Sequence, residues 1–282
     1  MKRLKIIINH MCGNSERATK EKVLSKLGGE FNQIEVVNIK NSSDIVDVEG
    51  CDAIAVCGGD GTLNNAVHNA CGKGVDIFYF PCGTLNELSK HMSKKGDPDR
   101  LLRETGVIKN RRFVYVAATG TFTPIGYTTT VKAKKKFKLL AYFFKVLSEY
   151  KVFHIKADIE ADGKKFSDTY TLIMFIDSSR CFGFKFNKMF EPNDGRLHML
   201  LIKSPKKRGL MSKIKIFFPM FKAFWIGFTK EYKSKNMVFM PVTEAKVKLE
   251  KPQPFCIDGE RYYPDEEFTI SVAPIQERIK VF

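Results

Sequence analysis

The segment Gly58–Thr62 has the sequence GGDGT, in which three glycines surround one carboxylate. It directly follows the apolar run Ala53–Cys57 and directly precedes a helical pattern over Leu63–Ala70. Glycine lets the backbone approach a ligand without an intervening side chain, and a helix start offers N–H groups and partial positive charge. The combination predicts an anion cradle. A turn without a ligand is an equally common use of such glycines.

A second loop of the same kind, Pro81–Asn86, follows the apolar run Val75–Phe80 and precedes another helical pattern. Both loops are expected at the carboxyl edge of a parallel sheet, where the ligands of open α/β sheets bind. Two neighbouring cradles suit a polyphosphate. Neither loop has the Walker A spacing or the G-x-G-x-x-G spacing, so conventional P-loop and dinucleotide-binding enzymes are disfavoured.

Phosphoryl transfer needs N–H donors, Mg²⁺, a carboxylate for the attacking hydroxyl and cations for the developing charge. Asp258, in the sequence Asp-Gly-Glu, is a candidate for that carboxylate. Asp-Gly is also a strong signal for a tight turn, and the part of the chain after residue 118 has two other such pairs, Asp162-Gly163 and Asp194-Gly195. From the residues alone, both the base and the simple turn remain open for Asp258.

A scaffold that alternates strands and helices must position the glycine loops. The first third of the chain alternates short apolar runs with helix-compatible segments, which is typical of β-α-β units around a parallel sheet. Later runs such as Thr169–Ile176 and Leu197–Ile202, with the Asp-Gly pairs, predict antiparallel strands. We predict an α/β domain over residues 1–118, completed by residues 272–282, and a mostly antiparallel, sandwich-like β domain over residues 119–271.

The charge of the chain is divided unequally between these parts. The 282 residues include 47 Lys and Arg and 31 Asp and Glu, a net charge of +16. Residues 1–118 carry 17 basic and 14 acidic side chains, or +3, and residues 119–282 carry 30 and 17, or +13. The excess is concentrated in Lys132–Lys151 and Lys203–Lys235. An anionic partner is expected, and the lack of any helix-turn-helix, zinc-finger or RNP-like sequence disfavours nucleic acid.

The aromatic side chains of the segment Lys203–Lys235 include Phe217, Phe218, Phe221, Phe224, Trp225 and Phe228. Basic head groups beside aromatic rings suit an interface with lipid headgroups. The alternative is a helical pair whose aromatic rings pack in a core. We expect core packing for most of them, with Trp225 the least firmly placed, and Pro219 is expected to prevent one straight helix.

The cysteines and the apolar runs indicate the cellular compartment of the protein. Seven cysteines without a C-x-x-C pair argue against a disulfide framework and a zinc site, which favours a reducing cytoplasm. No uncharged apolar run approaches the ~18 residues of a membrane span. We expect a cytoplasmic protein that is peripheral to the membrane.

Together, Gly58–Thr62, Gly83–Asn86 and Asp258–Glu260 resemble the diacylglycerol kinase catalytic-domain family, in particular its soluble bacterial branch. More distantly, the chain is similar to the NAD kinases and sphingosine kinases, which share this fold. The resemblance covers nearly the whole chain. It implies ATP-dependent transfer of the γ-phosphoryl group to a lipid hydroxyl, with ATP lying between the two domains.

The resemblance also implies roles for individual residues. The nucleotide phosphates are expected at Asn9, Gly58, Gly59, Gly61, Thr62, Gly83, Thr84 and Asn86. Asp60 is expected to lie by the phosphates and organise Mg²⁺ through water. Asp258 is the implied general base, and Glu260 is expected to support the base or the metal. A structural Mg²⁺ element is implied at Glu191, Asp194 and Arg196, with carboxylates and a backbone carbonyl as ligands.

Two other functions stay open at this point. One is an NAD kinase, which shares GGDGT and acts without a lipid. The other is a catalytically weak, nucleotide-binding, membrane-associated regulator, suggested by Asn65 and Glu87, which depart from the residues that this family has there. The expected partner is a lipid substrate at an anionic membrane surface; the identity of the lipid and a homodimer are left open.

Overall fold

The computed structural model describes residues 2–41, 44, 46–83, 86–92, 99–121, 152–181, 183–206 and 210–282. Two predicted features, Thr84 and the basic segment Lys132–Lys151, lie outside these residues. The chain divides into two compact units. The first holds the described residues up to Thr105 and from Pro274 onwards, and the second holds those in between. The domain limits expected after residues 118 and 271 stay a prediction.

The first unit is built from parallel strands and the helices between them. Its elements in chain order are β1 (Arg3–Asn9), a 3₁₀ turn (Ser15–Arg17), α1 (Lys20–Leu27), β2 (Gln33–Ile39), β3 (Ala53–Gly58), α2 (Asp60–Ala70), β4 (Asp76–Pro81) and α3 (Glu87–Met92). The strands lie in the order β2-β1-β3-β4, all parallel. The end of the last strand of the chain, Ile279–Val281, also pairs with β4 in parallel. The predicted parallel α/β sheet is confirmed.

Burial explains which of these elements the sequence predicts well. All residues of β3 are buried, as expected for a central parallel strand covered on both faces. Helix α1 begins after Thr19, whose side chain accepts the N–H of Lys22 at 3.3 Å, and ends at Gly28, whose φ is +71°. The edge strand β2 exposes Ile34 and Val36 and has little core face, and sequence analysis did not predict it.

The second unit is mainly antiparallel. Its elements are the end of β5 (Leu101–Ile108), β6 (Arg111–Phe113), β7 (Val116–Gly120), β8 (Ile155–Ala161), β9 (Lys164–Ile176), β10 (Leu197–Lys203), α4 (Leu210–Phe221), a π-helix (Lys222–Ile226), β11 (Tyr232–Lys233), β12 (Met237–Val242), β13 (Glu244–Leu249), β14 (Phe255–Ile257), β15 (Glu260–Tyr262) and most of β16 (Glu267–Val281). Antiparallel pairing runs through β11-β12-β10-β9-β8-β13-β16, and β7 pairs with β9 and β14. This part of the predicted fold class is also confirmed.

Two of the three Asp-Gly pairs in the second unit form the predicted two-residue hairpins. Asp162-Gly163 joins β8 to β9, and Asp258-Gly259 joins β14 to β15; all four residues have positive φ, from +44° to +99°. The third pair, Asp194-Gly195, is different. It lies in the long connection between β9 and β10, just before Leu197, so the expectation of a tight turn between strands is wrong there.

The expected core packing of the aromatic side chains of Lys203–Lys235 is wrong for most of them. Phe217, Phe218, Phe221 and Trp225 are exposed, whereas Phe224 and Phe228 are buried. Ile216 and Met220 lie on the buried side of helix α4. The helical periodicity then places the exposed aromatic side chains on the opposite side. Pro219 lies inside α4, and the helix continues as the π-helix after Phe221. A π-turn close to a proline agrees with the predicted interruption.

Over the described ranges, no helix has both the length and the apolar character needed to cross a membrane. The seven cysteines, all of them described, are free thiols.

Candidate phosphate site

The turns after β3 and β4 lie side by side at the carboxyl ends of these strands. The N–H of Cys82 donates to the carbonyl of Gly58 at 2.7 Å. A Cβ atom built on Gly83 would come within 2.7 Å of the Cα of Gly59, a distance that no real Cβ tolerates. Only glycine at position 83 therefore allows this approach. The two predicted cradles form one continuous surface.

Helix α2 begins at the first turn with its N–H groups directed to this surface. Gly59 is the N-cap residue and provides no side-chain hydrogen bond to the first turn. The first N–H groups of a helix have no acceptor within the helix, and the helix dipole adds partial positive charge. For a Cβ on Gly59, the nearest described atom would be the Cα of Gly83 at 3.5 Å, an ordinary van der Waals contact. The donor set fits a phosphate group.

The loop after β1 completes the site. Nδ2 of Asn9 donates to Oγ1 of Thr62 at 2.8 Å, and Oδ1 of Asn9 accepts the N–H of Met11 at 2.9 Å. Nδ2 of Asn14 donates to the carbonyl of Gly83 at 3.2 Å. Asn14 was not predicted. The available signal was its position, since it shares with Asn9 the loop at the carboxyl end of a parallel strand.

Asn86 closes the second turn. Its φ of +46° lies in the left-handed region, which Asn tolerates better than most residues, and its Nδ2 donates to the carbonyl of Gly83 at 2.9 Å. Its Oδ1 is buried and has no hydrogen-bond donor among the described residues. Such an acceptor is costly when unsatisfied, and it suits a ligand hydroxyl or a water molecule.

Asp60, in the first turn, is buried and bonds to the residues that follow the second turn. Its Oδ2 accepts the N–H of Glu87 at 2.8 Å, and its Oδ1 accepts that of Leu88 at 3.4 Å, so it caps the start of α3. Burial raises the pKa of Asp60 to about 6; the two N–H bonds lower it, and the nearby carboxylate of Glu87 raises it. Because both Asp60 oxygens face helix N–H groups, a role towards Mg²⁺ through water fits better than direct ligation.

Two further groups beside the loops were not predicted. Burial raises the pKa of the Cys12 thiol to about 11, although hydrogen bonds with the backbone of Gly59 and the side chain of Thr62 lower it. Burial also raises the pKa of Tyr79, and the charge of nearby Asp60 raises it further. Both groups are therefore neutral at neutral pH. Neither residue has a sequence signal beyond its place at the end of a strand.

In the second unit, Asp258 occupies the hairpin turn with its side chain buried. Its Oδ2 accepts the N–H of Val114 at 2.6 Å, and its Oδ1 accepts those of Tyr115 at 3.0 Å and Val116 at 2.8 Å. Three N–H donors favour the ionised carboxylate. Asp258 thus ties the β14–β15 hairpin to the segment before β7, whatever else it does.

Glu260 has a partner on the same segment. Nη2 of Arg111 donates to its Oε2 at 2.6 Å, and the Glu260 side chain is 43% exposed. The proposed base and its supporting carboxylate both hold the hairpin against residues 111–116.

The predicted Mg²⁺ element brings two carboxylates together. The N–H of Arg196 donates to Oδ1 of Asp194 at 3.1 Å. Partial burial raises the pKa of Asp194; Arg196 lowers it, and the charge of Glu191 raises it. No group of three or more His, Cys, Asp or Glu side chains that could hold a metal occurs in the described part of the chain. Two carboxylates completed by carbonyl oxygens and water still suit Mg²⁺.

The structure therefore collects one group of predicted residues in the first unit: Asn9, Gly58, Gly59, Asp60, Gly61, Thr62, Gly83 and Asn86. The other predicted residues belong to the second unit: Glu191, Asp194, Arg196, Asp258 and Glu260.

Comparison with known proteins agrees with this geometry. Residues 3–115 match the family model of the diacylglycerol kinase catalytic domain, a segment that includes both glycine turns. The resemblance to this family is confirmed. A Streptococcus pneumoniae protein named "Putative lipid kinase" is 22% identical over 310 aligned residues, which cover 100% of this chain and 98% of that protein.

Two diacylglycerol kinases are also similar to the chain. The Staphylococcus aureus enzyme is 29% identical over 143 residues, 45% of this chain and 44% of that protein. The crystal structure of a Bacillus anthracis diacylglycerol kinase superposes with a TM-score of 0.67 at 16% identity, covering 99% of this chain and 96% of that one. The chain thus has the fold of a diacylglycerol kinase.

Proposed function

We propose that the protein is an ATP-dependent lipid kinase. The contact between Gly59 and Gly83 supports this most directly, because it joins two glycine turns of a kind that binds phosphate groups. The family match over residues 3–115 and the lipid kinase and diacylglycerol kinase names of its relatives point the same way.

In this proposal, ATP supplies the γ-phosphoryl group when it is bound. The N–H groups at the start of α2 and the turn at Gly83 bind and orient the phosphates. The Oδ1 atom of Asn86 accepts a hydrogen bond from the nucleotide or from a water molecule. Asp60 holds α3 in position and orders water around Mg²⁺. Charge neutralisation and positioning are the main requirements of phosphoryl transfer.

Asp258 is the proposed acceptor of the proton from the lipid hydroxyl. Its three N–H bonds favour the ionised carboxylate and fix its direction. Glu260, held by Arg111, is proposed to maintain the hairpin that presents Asp258. The element at Glu191, Asp194 and Arg196 is proposed to hold a structural Mg²⁺ in the second unit.

A vesicle phosphorylation assay tests the proposal. The protein is incubated with Mg²⁺, ATP labelled in the γ-phosphate and vesicles containing diacylglycerol, phosphatidylglycerol or a polyprenol, and products are identified by mass. A labelled lipid phosphate supports the proposal and names the acceptor. Label that stays in water-soluble products, including NADP formed from added NAD, rejects it.

One observation favours the nucleotide-binding regulator as a second candidate. A carboxylate engaged by three N–H groups is a weak proton acceptor, and Asp258 is such a carboxylate. The argument from Asn65 is weaker, because Oδ1 of Asn65 still anchors a neighbouring loop by accepting the N–H of Val46 at 3.2 Å. ATP binding without turnover on any lipid in the panel would select the regulator.

A further inference from the structure

Helix α4 and the π-helix after it are apolar on two opposite sides. One side is buried through Ile216, Met220 and Phe224. The other side exposes six large apolar side chains, here called the ridge: Ile214, Phe217, Phe218, Phe221, Trp225 and Ile226. Phe218 is 67% exposed. An exposed row of large apolar side chains normally marks a surface that binds a partner or a membrane.

The aromatic rings of the ridge are ordered by contact with one another. The ring of Phe221 stacks on that of Phe217 at 5.9 Å and 20°, and on that of Trp225 at 5.9 Å and 14°. Trp225 also contacts the ring of Phe184 at 5.9 Å. Little side-chain freedom remains to be lost when this row binds a partner.

Lysine side chains border the ridge. Nζ of the exposed Lys188 donates to the carbonyl of Ile226 at 3.0 Å, and the exposed Lys185 directly follows Phe184. Lys215 is exposed on α4 beside Ile214. Between residues 203 and 235 the sequence has ten Lys and Arg and a single acidic residue, Glu231. The apolar row therefore has a cationic border.

We propose that the ridge inserts into the interface of an anionic lipid bilayer while Lys185, Lys188 and Lys215 contact the headgroups. Aromatic rings with lysine beside them are the composition of helices that lie in a membrane interface. A second copy of the chain is a poorer occupant, because residues 119–282 carry +13 and two such surfaces repel each other. The inference rests on the proposed function only in that the bilayer is the source of the acceptor lipid.

Trp225 makes the test direct, since it is the single tryptophan of the chain and part of the ridge. The full chain is mixed, without ATP, with vesicles of phosphatidylcholine alone or of equal parts phosphatidylcholine and phosphatidylglycerol. We expect a blue shift of the Trp225 emission with the anionic vesicles and quenching by lipids brominated near the headgroup. The chain should also sediment with the anionic vesicles.

Two variants test whether the ridge itself inserts into the bilayer. Phe218→Ser should lower the vesicle partition coefficient by about tenfold or more, because a large apolar side chain no longer leaves water. Its high exposure should leave the melting temperature unchanged. The matched control is Tyr263→Ser, which removes another exposed ring, 60% exposed and outside the ridge, and should change the coefficient by less than about twofold.

Three results would overturn the inference: an unchanged Trp225 emission with anionic vesicles, equal partitioning of Phe218→Ser and the unsubstituted chain, or a stable dimer that Phe218→Ser dissociates. Phosphorylation of a short-chain diacylglycerol dissolved as monomers distinguishes the two proposals. Turnover of the monomeric lipid without vesicle binding rejects membrane insertion of the ridge and supports the kinase proposal. Vesicle binding without turnover on any lipid supports insertion and rejects the kinase proposal.

Discussion

The carboxylate of Asp60 accepts the N–H of Glu87 at 2.8 Å, so the acidic residue of the first glycine turn caps the helix that follows the second. This bond holds the two turns together through a side chain, and the contact of Gly59 with Gly83 brings their backbones together. It also places Asp60 near the buried carboxylate of Glu87, which is 1% exposed. The energetic cost of burying Asp60 there can be measured.

Asp60→Asn should change how stability depends on pH. The pKa of Asp60 is raised from 3.8 to about 6 in the folded chain, so the folded state binds more protons than the unfolded state between these values. This contribution to the free energy of unfolding therefore falls as pH rises from about 4 to about 6, by up to about 3 kcal/mol. In Asp60→Asn, the free energy of unfolding, measured with denaturant at each pH, should no longer show this decrease. Asp52→Asn, which replaces an exposed acidic residue, serves as the control and should keep the decrease. If the decrease persists in Asp60→Asn, other groups cause it.

Asp258→Asn should lower both stability and phosphoryl transfer. The amide of Asn would turn one N–H towards the N–H of Val114 or Val116, leaving a buried donor unsatisfied at a cost of about 1–3 kcal/mol. Melting temperature, ATP affinity and lipid phosphorylation are measured together. ATP affinity of the folded variant should be largely retained.

Asp162→Asn is the matched control for Asp258. Asp162 occupies another Asp-Gly hairpin and accepts the N–H groups of Thr243 and Glu244 at 3.0 and 3.1 Å. This variant should also lose stability but keep transfer activity. Equal loss of activity in both variants would mean that hairpin integrity, not a proton acceptor, explains the effect.

Asp194→Asn should reduce stabilisation by Mg²⁺. A cation would relieve the repulsion between Asp194 and Glu191, and a ligand that binds only the folded state raises the melting temperature. We expect Mg²⁺ to raise the melting temperature of the unsubstituted chain by about 2 °C or more and that of Asp194→Asn by less. Asp158→Asn, exposed on β8, serves as the control. The same change in melting temperature with Mg²⁺ in all three proteins would show that Mg²⁺ does not bind at this element.

The parallel sheet and the glycine turns could be predicted because their signals are local. The buried run of β3 and the turn at Gly58–Thr62 are adjacent in the sequence. The hydrogen bonds from Asn14 to Gly83 and from Val114 to Asp258 join residues 69 and 144 positions apart, and no local pattern announces them. The edge strand β2 lacks the buried face that makes a strand recognisable.

Helix α4 shows a different limit of sequence analysis. Hydrophobic periodicity identifies the core side of a helix only when the opposite side is polar. Phe217 and Phe221 on one side and Ile216 and Met220 on the other give no such contrast, so only the tertiary structure shows which side is exposed.

Gly83→Ala should destabilise the first unit. The new methyl group would meet the Cα of Gly59 at 2.7 Å and Oδ1 of Asn86 at 2.6 Å, and backbone atoms cannot move aside cheaply. Overpacking of this kind costs about 1–3 kcal/mol. Denaturant unfolding measures it, with Gly29→Ala as a control, since a Cβ there would meet no atom within 4 Å. An unchanged stability of Gly83→Ala would show that the turns are not in close contact.

Gly59→Ala tests the shared phosphate surface most directly. Alanine is compatible with the extended φ of −93° at this position, and its methyl group would lie at an ordinary 3.5 Å from the nearest described atom, so the fold should tolerate it. The methyl group would nevertheless narrow the space between the two turns, where a phosphate must approach the backbone. Titration calorimetry with Mg-ATP should show an affinity at least about tenfold lower than that of the unsubstituted chain, at an unchanged melting temperature. Equal ATP affinity of the two proteins would contradict a triphosphate site at these turns.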